Sequence, residues 1–528
     1  MMDTAAKKST GSFYTCHTIA DYIAKWAIQT PQTCALEPSF GNGIFIDAAL
    51  SRYAELGNQK PEVIGVEMQE APFKQFMKNH EEVCGFQMDF MDFKTAAKIN
   101  AVIGNPPYIR LGKLSAEERE KALRLVSSYG LNMQTSGSLW MPFIIHSTEL
   151  LEQDGRLGFV LPYEITYVRY AFDLWKYLAS NYGKITICRI YHDFFPDVDV
   201  ETVVLLAEKK GAKTDTVSYE VFNTVTDLYR DNACLRSEIL IEDIISLGKP
   251  FERELMSGSV ASFLDSLREK GKLSAFVDDC KFKIGYVTGN KSYFHLSPEN
   301  IRQYNIRTEN IRKCLINAKQ ITANGDIGVE TGQISDCGYL FYPVAPGEGE
   351  KQYISYGKAL GVDKGYKCKV RKPWYMTPGL EVPDVILTVF GNTPKMLLND
   401  GGFYVSNSLL SGFSKVKDSK ELICRWYNSL TLLSVESTIH SLGGGTLVLI
   451  PGETDKLEII SDFPAEEIKS TYQKISEFAK DHSAEELYRY GDTVVLKEIY
   501  GFSEETIKDI RDSLQILRNW RDPDKRRG

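Results

Sequence analysis

Cysteine is sparse in this 528-residue chain: ten residues, at 16, 34, 84, 188, 234, 280, 314, 337, 368 and 424, no two closer than 18 apart. That spacing offers no CxxC pair for zinc or redox work, and scattered thiols suit a reducing compartment. Histidine is scarcer, seven in all and too dispersed to make a metal-ligand set. No run of 18 apolar residues occurs, and the opening MMDTAAKKSTGSFYTC carries no apolar signal core, so neither export nor a membrane span is expected and a cytoplasmic location is. A basic excess is missing too. Lys and Arg number 62 against 70 Asp and Glu, and the net charge of −8 is shared equally between residues 1–210 and the remainder. No global field attracts a polyanion, so any nucleic-acid surface must be local.

What is present is an ordinary globular balance: 43% hydrophobic, 25% charged, 40 glycines and 20 prolines. The length allows a large core without disulfide or metal staples. Between residues 33 and 209, short β-rich runs alternate with helical patterns, the rhythm of a parallel sheet covered on both faces. Seven strands are expected, at Ala35–Glu37, Val63–Glu67, Phe86–Asp89, Ala101–Gly104, Leu157–Leu161, Ile185–Tyr191 and Thr202–Ala207. The last two are joined by HDFFPDVDVE, too short for a helical crossover, and should pair antiparallel. Helices are expected at Thr18–Ile28, Gly43–Glu55, Ala71–His80, Leu139–Glu152 and Tyr170–Asn181. From about Asp215 the rhythm fades, so we divide the chain into a first domain, residues 1–245, and a second, 246–528, that is irregular and then helical near its end.

The strongest chemical signal is Asn105, Pro106, Pro107 and Tyr108, directly after the apolar strand AVIG. Ligand chemistry in open α/β sheets gathers at that carboxyl edge. An exocyclic amine on a heteroaromatic ring is a poor nucleophile because its lone pair is delocalised. The Asn105 side-chain oxygen and the Pro106 carbonyl, held by the rigid diproline, could accept both amino hydrogens and favour a pyramidal nitrogen, with Tyr108 stacked on the base. Taken alone, NPPY is equally a diproline turn capping a strand. A second signal, ALEPSFGNGIFIDAAL, runs a strand into Gly41 and Gly43 and then a helix, letting backbone approach a ligand. Ile46 breaks the GxGxxG pattern and argues against a dinucleotide. Glu67 ends the next strand, where a carboxylate can accept ribose hydroxyls, and Asp89 with Phe90 ends the third, suited to an adenine amino group and ring.

In that order, these four motifs resemble the S-adenosylmethionine-dependent DNA amino-methyltransferases, and more narrowly the γ group, the TaqI-like adenine-N6 enzymes. The resemblance covers about residues 11–209 in good motif order. It implies a Rossmann-like methyltransferase sheet of seven strands with an antiparallel final hairpin, followed by a mixed α+β target-recognition domain. The family's N-terminal motif appears as GSFYTCHTIADYIAKWAI, with Tyr14 and Thr15 in place and Cys16 where proline is usual. By this resemblance Tyr14 and Thr15 bind S-adenosylmethionine, Glu37, Pro38, Phe40, Gly41 and Gly43 serve its methionine end, and Glu67, Asp89 and Phe90 serve its adenosine. The base would be extruded and methylated in line, without a covalent enzyme intermediate or a metal, and Phe195 of the Phe194–Phe195–Pro196 hairpin would pack on its second face.

In the second domain, segments 281–294, 367–379 and 440–453 resemble parts of target-recognition regions in related enzymes. The middle one has physical content of its own: Lys364, Lys367, Lys369, Arg371 and Lys372 beside Tyr366, Trp374 and Tyr375 suit phosphate contacts and stacking. A charge run is also what a solvated face looks like. Pro196, Asp197, Glu208 and Lys210 match a PD...ExK nuclease spacing, but they fall on the expected hairpin. The partners expected are double-stranded DNA and a cognate restriction endonuclease, with the chain a monomer. Three other readings stay open: N4-cytosine methylation, a catalytically inactive DNA-binding module, and the shorter enzymes that use NPPY on glutamine of release factors or on guanine N2 of RNA.

Overall fold

The computed structural model describes residues 16–192, 201–247, 249–322, 327–441 and 445–522. The chain divides into two compact units, the first ending at Leu255 and the second spanning Met256–Arg521. The division falls later than residue 245 because Phe251 packs on Trp175 and Tyr219, with ring centroids 6.2 and 5.1 Å away.

The first unit is built on one sheet. Its strands are β1 (Cys34–Glu37), β2 (Glu62–Glu67), β3 (Cys84–Gln87), β4 (Ile99–Gly104), β5 (Leu151–Pro162), β6 (Tyr182–Ile190), β7 (Thr202–Lys210), β8 (Thr216–Phe222) and β9 (Leu235–Leu240). They lie in the order β3-β2-β1-β4-β5-β7-β6-β8-β9. β1 to β5 are parallel, and β7 runs antiparallel between β5 and β6, with Phe159 opposite Leu205 and Ile187 opposite the same residue. All seven expected strands and the antiparallel pair are present. The sheet is larger than expected, however, because β8 adds parallel to β6 and β9 antiparallel to β8. β8 alternates, turning Val217, Tyr219 and Val221 inward, and β9 is a polar edge, so neither has the continuous apolar run that marks a doubly covered strand.

Helices α1 (His17–Ala27), α2 (Ile44–Glu55), α3 (Glu70–Met77), α4 (Ala116–Ser128), α5 (Trp140–Leu150) and α6 (Phe172–Asn181) accompany the strands. α1 buries Ile19, Ala20, Ile23, Ala24 and Ala27 in a cluster shared with Phe45, Ala48 and Ala49 of α2. It reaches the sheet at Gly158, where a Cβ would stand 2.7 Å from Ile23. α4 is not among the expected helices: nearly half of its residues are charged, Ala122 and Val126 are fully buried, and it is started by a reciprocal Ser115–Glu118 cap.

The second unit is mixed α+β, as expected. Cys280–Ile284, Leu409–Ser414, Val385–Thr388 and Met396–Leu398 form a four-stranded antiparallel sheet, and Gly338–Phe341, Ile311–Leu315 and Tyr404–Val405 a three-stranded one. Its end is helical, over Ile468–Phe478, Ala484–Gly491 and Glu504–Arg521.

Candidate functional site

The order β3-β2-β1-β4 makes neighbours of four strand ends that are distant in sequence, with the chain changing direction across the sheet between β1 and β4. That reversal opens the crevice where α/β sheets bind ligands. Glu37, Glu67, Asp89 and Asn105 therefore stand in one row at the carboxyl edge. The two central motifs touch: a Cβ built on Gly104 would lie 3.4 Å from Pro38 and 3.5 Å from Glu37, and the Ser39 hydroxyl donates to the Asn105 carbonyl at 3.5 Å.

The loop after β1 is held from behind. Gly43, at φ +83°, caps α2, and a side chain there would run into the Phe76 ring at 1.9 Å. Gly41, at φ +53°, has open space where a Cβ would be, leaving its backbone approachable. Glu67 fixes this loop: one carboxylate oxygen accepts the Gly41 amide at 2.9 Å and the other accepts the Gln69 amide at 2.7 Å. A carboxylate has about four acceptor positions, so lone pairs remain for a ligand's hydroxyls. Glu37 is 3% exposed, and its Oε2 meets no hydrogen-bond donor among the described residues. Burial, with the neighbouring Glu67 carboxylate adding to it, pushes the Glu37 carboxyl well above the usual carboxylate range. A buried acid with one oxygen still lacking a donor, beside an approachable glycine backbone, fits a ligand that brings a cationic donor of its own, as the methionine ammonium of S-adenosylmethionine does.

Two aromatic residues of the expected site are buried. Phe40 packs on Phe73 and Phe76 at 5.9 and 5.1 Å, so its ring is core and only its backbone belongs to the loop. Phe90 is 2% exposed, packed against Phe93, Phe143 and His146. The apolar side chain standing out at this edge is Met68, 58% exposed immediately after Glu67, which the sequence motifs do not single out. An apolar residue following a strand-ending acid is the signal that could have found it. Asp89 caps the turn after β3, accepting the Met91 amide at 3.0 Å, and its other oxygen lies 2.8 Å from the Lys121 ammonium of α4.

Beyond β4, Pro106 is buried and Asn105 and Tyr108 are half-buried. Burial raises the Tyr108 phenol far above its ordinary range, so it stays neutral. The loop is then fastened downstream. Arg110 pairs with Glu164 at 2.6 Å, and the same carboxylate takes the Tyr170 hydroxyl at 2.8 Å and the Trp140 indole NH at 3.3 Å. Leu139 donates its amide to Ile109 at 2.8 Å. Where β6 and β7 approach the 193–200 connection, buried Arg189 bonds Glu201 at 2.7 Å and lies 3.8 Å over the Tyr163 ring. Tyr14, Thr15 and Phe195 lie outside the described residues. Glu208, of the nuclease-like spacing, is a β7 residue paired with Arg156 at 3.1 Å.

In the second unit, Lys364, Lys367, Lys369 and Lys372 are exposed, and none of them forms an ion pair among the described residues. Other cations of this unit do: Arg268 meets Glu458, Lys281 meets Asp455 and Lys283 meets Glu381. Arg371 differs from its neighbours, for its guanidinium donates to the carbonyls of Thr288 at 2.8 Å and Val287 at 2.6 Å. It ties segment 281–294 to segment 364–374 rather than offering its fork to a phosphate. Trp374 packs on Tyr293 at 5.6 Å and on Gly357, so it too is structural. The exposed ring is Tyr366, at 73%, with the Lys367 and Lys369 ammoniums 5.6 and 5.7 Å from its centroid. In segment 440–453, His440 is bonded by Glu453 at 2.8 Å, and Gly443 and Gly444 lie outside the described residues.

Residues 47–195 match the Eco57I restriction-modification methylase family, and residues 249–496 match the C-terminal domain of the type II methyltransferase M.Eco57I, the two spanning about three quarters of the chain. The type II methyltransferase M.AccI of Acinetobacter calcoaceticus is 22% identical over 405 residues, 73% of this chain and 72% of that protein. M.BstVI of Geobacillus stearothermophilus is 22% identical over 548 residues, 91% of this chain and 93% of that protein. Among solved structures, the type IIL restriction-modification enzyme MmeI, in complex with DNA, shares the fold at a TM-score of 0.53 and 11% identity, over 95% of this chain and 72% of that one. With both family domains in tandem and an acidic, glycine-lined sheet edge beside the NPPY loop, the chain belongs to the type II restriction-modification DNA methyltransferases and uses S-adenosylmethionine.

Proposed function

We propose that the chain is a γ-group enzyme that methylates the N6 amino group of an adenine extruded from double-stranded DNA. The observation that carries this reading is the contact of the Asn105 loop with Glu37, Pro38 and Ser39, which brings the amine-holding motif against the cofactor loop. When bound, the cofactor supplies an electrophilic methyl on a sulfonium. Glu37 takes its ammonium, Glu67 its ribose hydroxyls and Asp89 its adenine amino group, while Met68 rather than Phe90 covers the adenine ring. The Asn105 side-chain oxygen and the Pro106 carbonyl accept the two hydrogens of the target amine and localise its lone pair. Tyr108, neutral throughout, stacks on one face of the base, and Phe195 on the other. No strong base is required, because the amine becomes acidic once methylated and loses its proton afterwards.

The first unit is then the catalytic domain and the second the target-recognition domain, its lysine face holding DNA phosphates. The remaining expectations, a monomer in the cytoplasm working beside a cognate restriction endonuclease, accompany this reading. Incubating the purified chain with DNA from a methylation-free host and methyl-labelled S-adenosylmethionine, then digesting to nucleosides, tests it. Label in N6-methyldeoxyadenosine is the expected result, and label in N4-methyldeoxycytidine would replace adenine by cytosine as the target.

A further inference from the structure

The Asp89 carboxylate is held on both oxygens, by the Met91 amide at 3.0 Å and by the Lys121 ammonium at 2.8 Å. Lys121 lies 32 residues further along the chain, on α4, in the crossover that begins with Asn105. Its ammonium is fixed by a second acid, Asp92, at 2.6 Å, and the bond to Asp89 raises its pKa, so it stays charged. The side chain is 28% exposed and that of Asp89 18%, so the pair is partly withdrawn from water. An acceptor for an amino N–H must be aimed at it. Without an ammonium between them, Asp89 and Asp92 would be like charges close together, favouring rotation of one away from the other. The two bonds to Asp89 use half of a carboxylate's acceptor positions and leave room for a third donor.

We propose that Lys121 is a positioning residue of the cofactor site, holding Asp89 oriented to accept the amino group of the cofactor's adenine. The inference rests on the assignment of Asp89 to that amino group. It distinguishes Lys121 from an ordinary surface ion pair, which contributes little and discriminates nothing. It also links the helix downstream of the NPPY loop to cofactor recognition.

Calorimetric titration of the full chain with S-adenosylhomocysteine and with its deaminated counterpart, S-inosylhomocysteine, reads the effect. The second ligand carries an oxygen where adenine has its amino group. In Lys121→Met the adenosyl ligand should weaken about tenfold, as expected for disturbing a charge-assisted acceptor, while the inosyl ligand changes by less than about twofold. Lys121→Arg should restore the preference. Because the ratio compares two ligands on one preparation, it does not depend on the folded fraction. An unchanged adenosyl affinity would make the pair a surface ion bridge, and equal weakening of both ligands would make Lys121 a fold-supporting residue; either overturns the proposal. Asp89→Asn, titrated in parallel, separates the two levels. If it also leaves the adenosyl affinity unchanged, the assignment of Asp89 falls, whereas if it alone loses the preference, only the role of Lys121 does.

Discussion

Along the sheet edge of the first unit, charged groups have fixed partners: Glu67 takes the amides of Gly41 and Gln69, Asp89 takes Met91 and Lys121, and Glu164 takes Arg110, Trp140 and Tyr170. In the second unit Lys364, Lys367, Lys369 and Lys372 stand exposed, while Arg371 and Trp374 beneath them are tied to protein. The first arrangement suits preorganised chemistry, in which one atom's position matters and no reorganisation remains to be done during the reaction. The second suits a polyanion with counterions to release, where each cation contributes a similar, salt-dependent share. Loss of a single group should be severe at the edge and graded on the lysine face.

The largest effect is expected at Asn105. Asn105→Ala should slow single-turnover methyl transfer at least about a hundredfold while cofactor affinity barely moves, the usual loss for one transition-state acceptor. Near-wild-type transfer would break the contrast between the two regions. Next comes the joint replacement of Lys364, Lys367, Lys369 and Lys372 by glutamine. DNA binding should weaken for cognate and random duplex alike, with the logarithmic salt slope falling by about 0.9 for each phosphate no longer neutralised. Arg371→Gln sharpens this, for it should lower the melting temperature and leave the slope alone. A wild-type slope in the fourfold variant would make the face merely solvated.

Glu67→Ala should raise the cofactor dissociation constant about tenfold, since a charged acceptor for hydroxyls and two backbone amides is removed together. A titration matching wild type would take Glu67 out of the site. The smallest effect is a pH dependence at Glu37. Its carboxyl is raised by burial when no cation is bound. An arriving ammonium lowers it again, so below the raised value binding releases a proton, and cofactor affinity rises with pH up to that value, by at most about tenfold per pH unit, and levels off above it. Affinity measured against pH in wild type and Glu37→Gln checks this, the variant giving the flatter profile.

The parallel half of the sheet is legible in the sequence because β1 and β2 are buried apolar runs ending in Glu37 and Glu67, and β4 is one that Asn105 directly follows. A motif at a strand end needs no tertiary information to be placed at the sheet edge. What is not legible depends on packing between distant parts of the chain. The face of Phe90 is decided by Phe143 and His146, some fifty residues away, and the partner of Arg371 by carbonyls at 287 and 288. α4 and β9 have too few apolar positions to announce themselves, and Lys121 is hidden with α4. Trp374 resembles a stacking residue beside lysines, but Gly357 leaves space for its ring in the core, and Tyr366 takes the exposed position instead.

Single-molecule modification sequencing of DNA from a methylation-free host expressing either the wild-type chain or Asn105→Ala tests the central claim most directly, since it reports base, position and sequence context together. DNA from the wild-type host should carry N6-methyladenine at one recurring sequence, and DNA from the variant host should lack it. Modified cytosine, or full adenine methylation by Asn105→Ala, would contradict that claim.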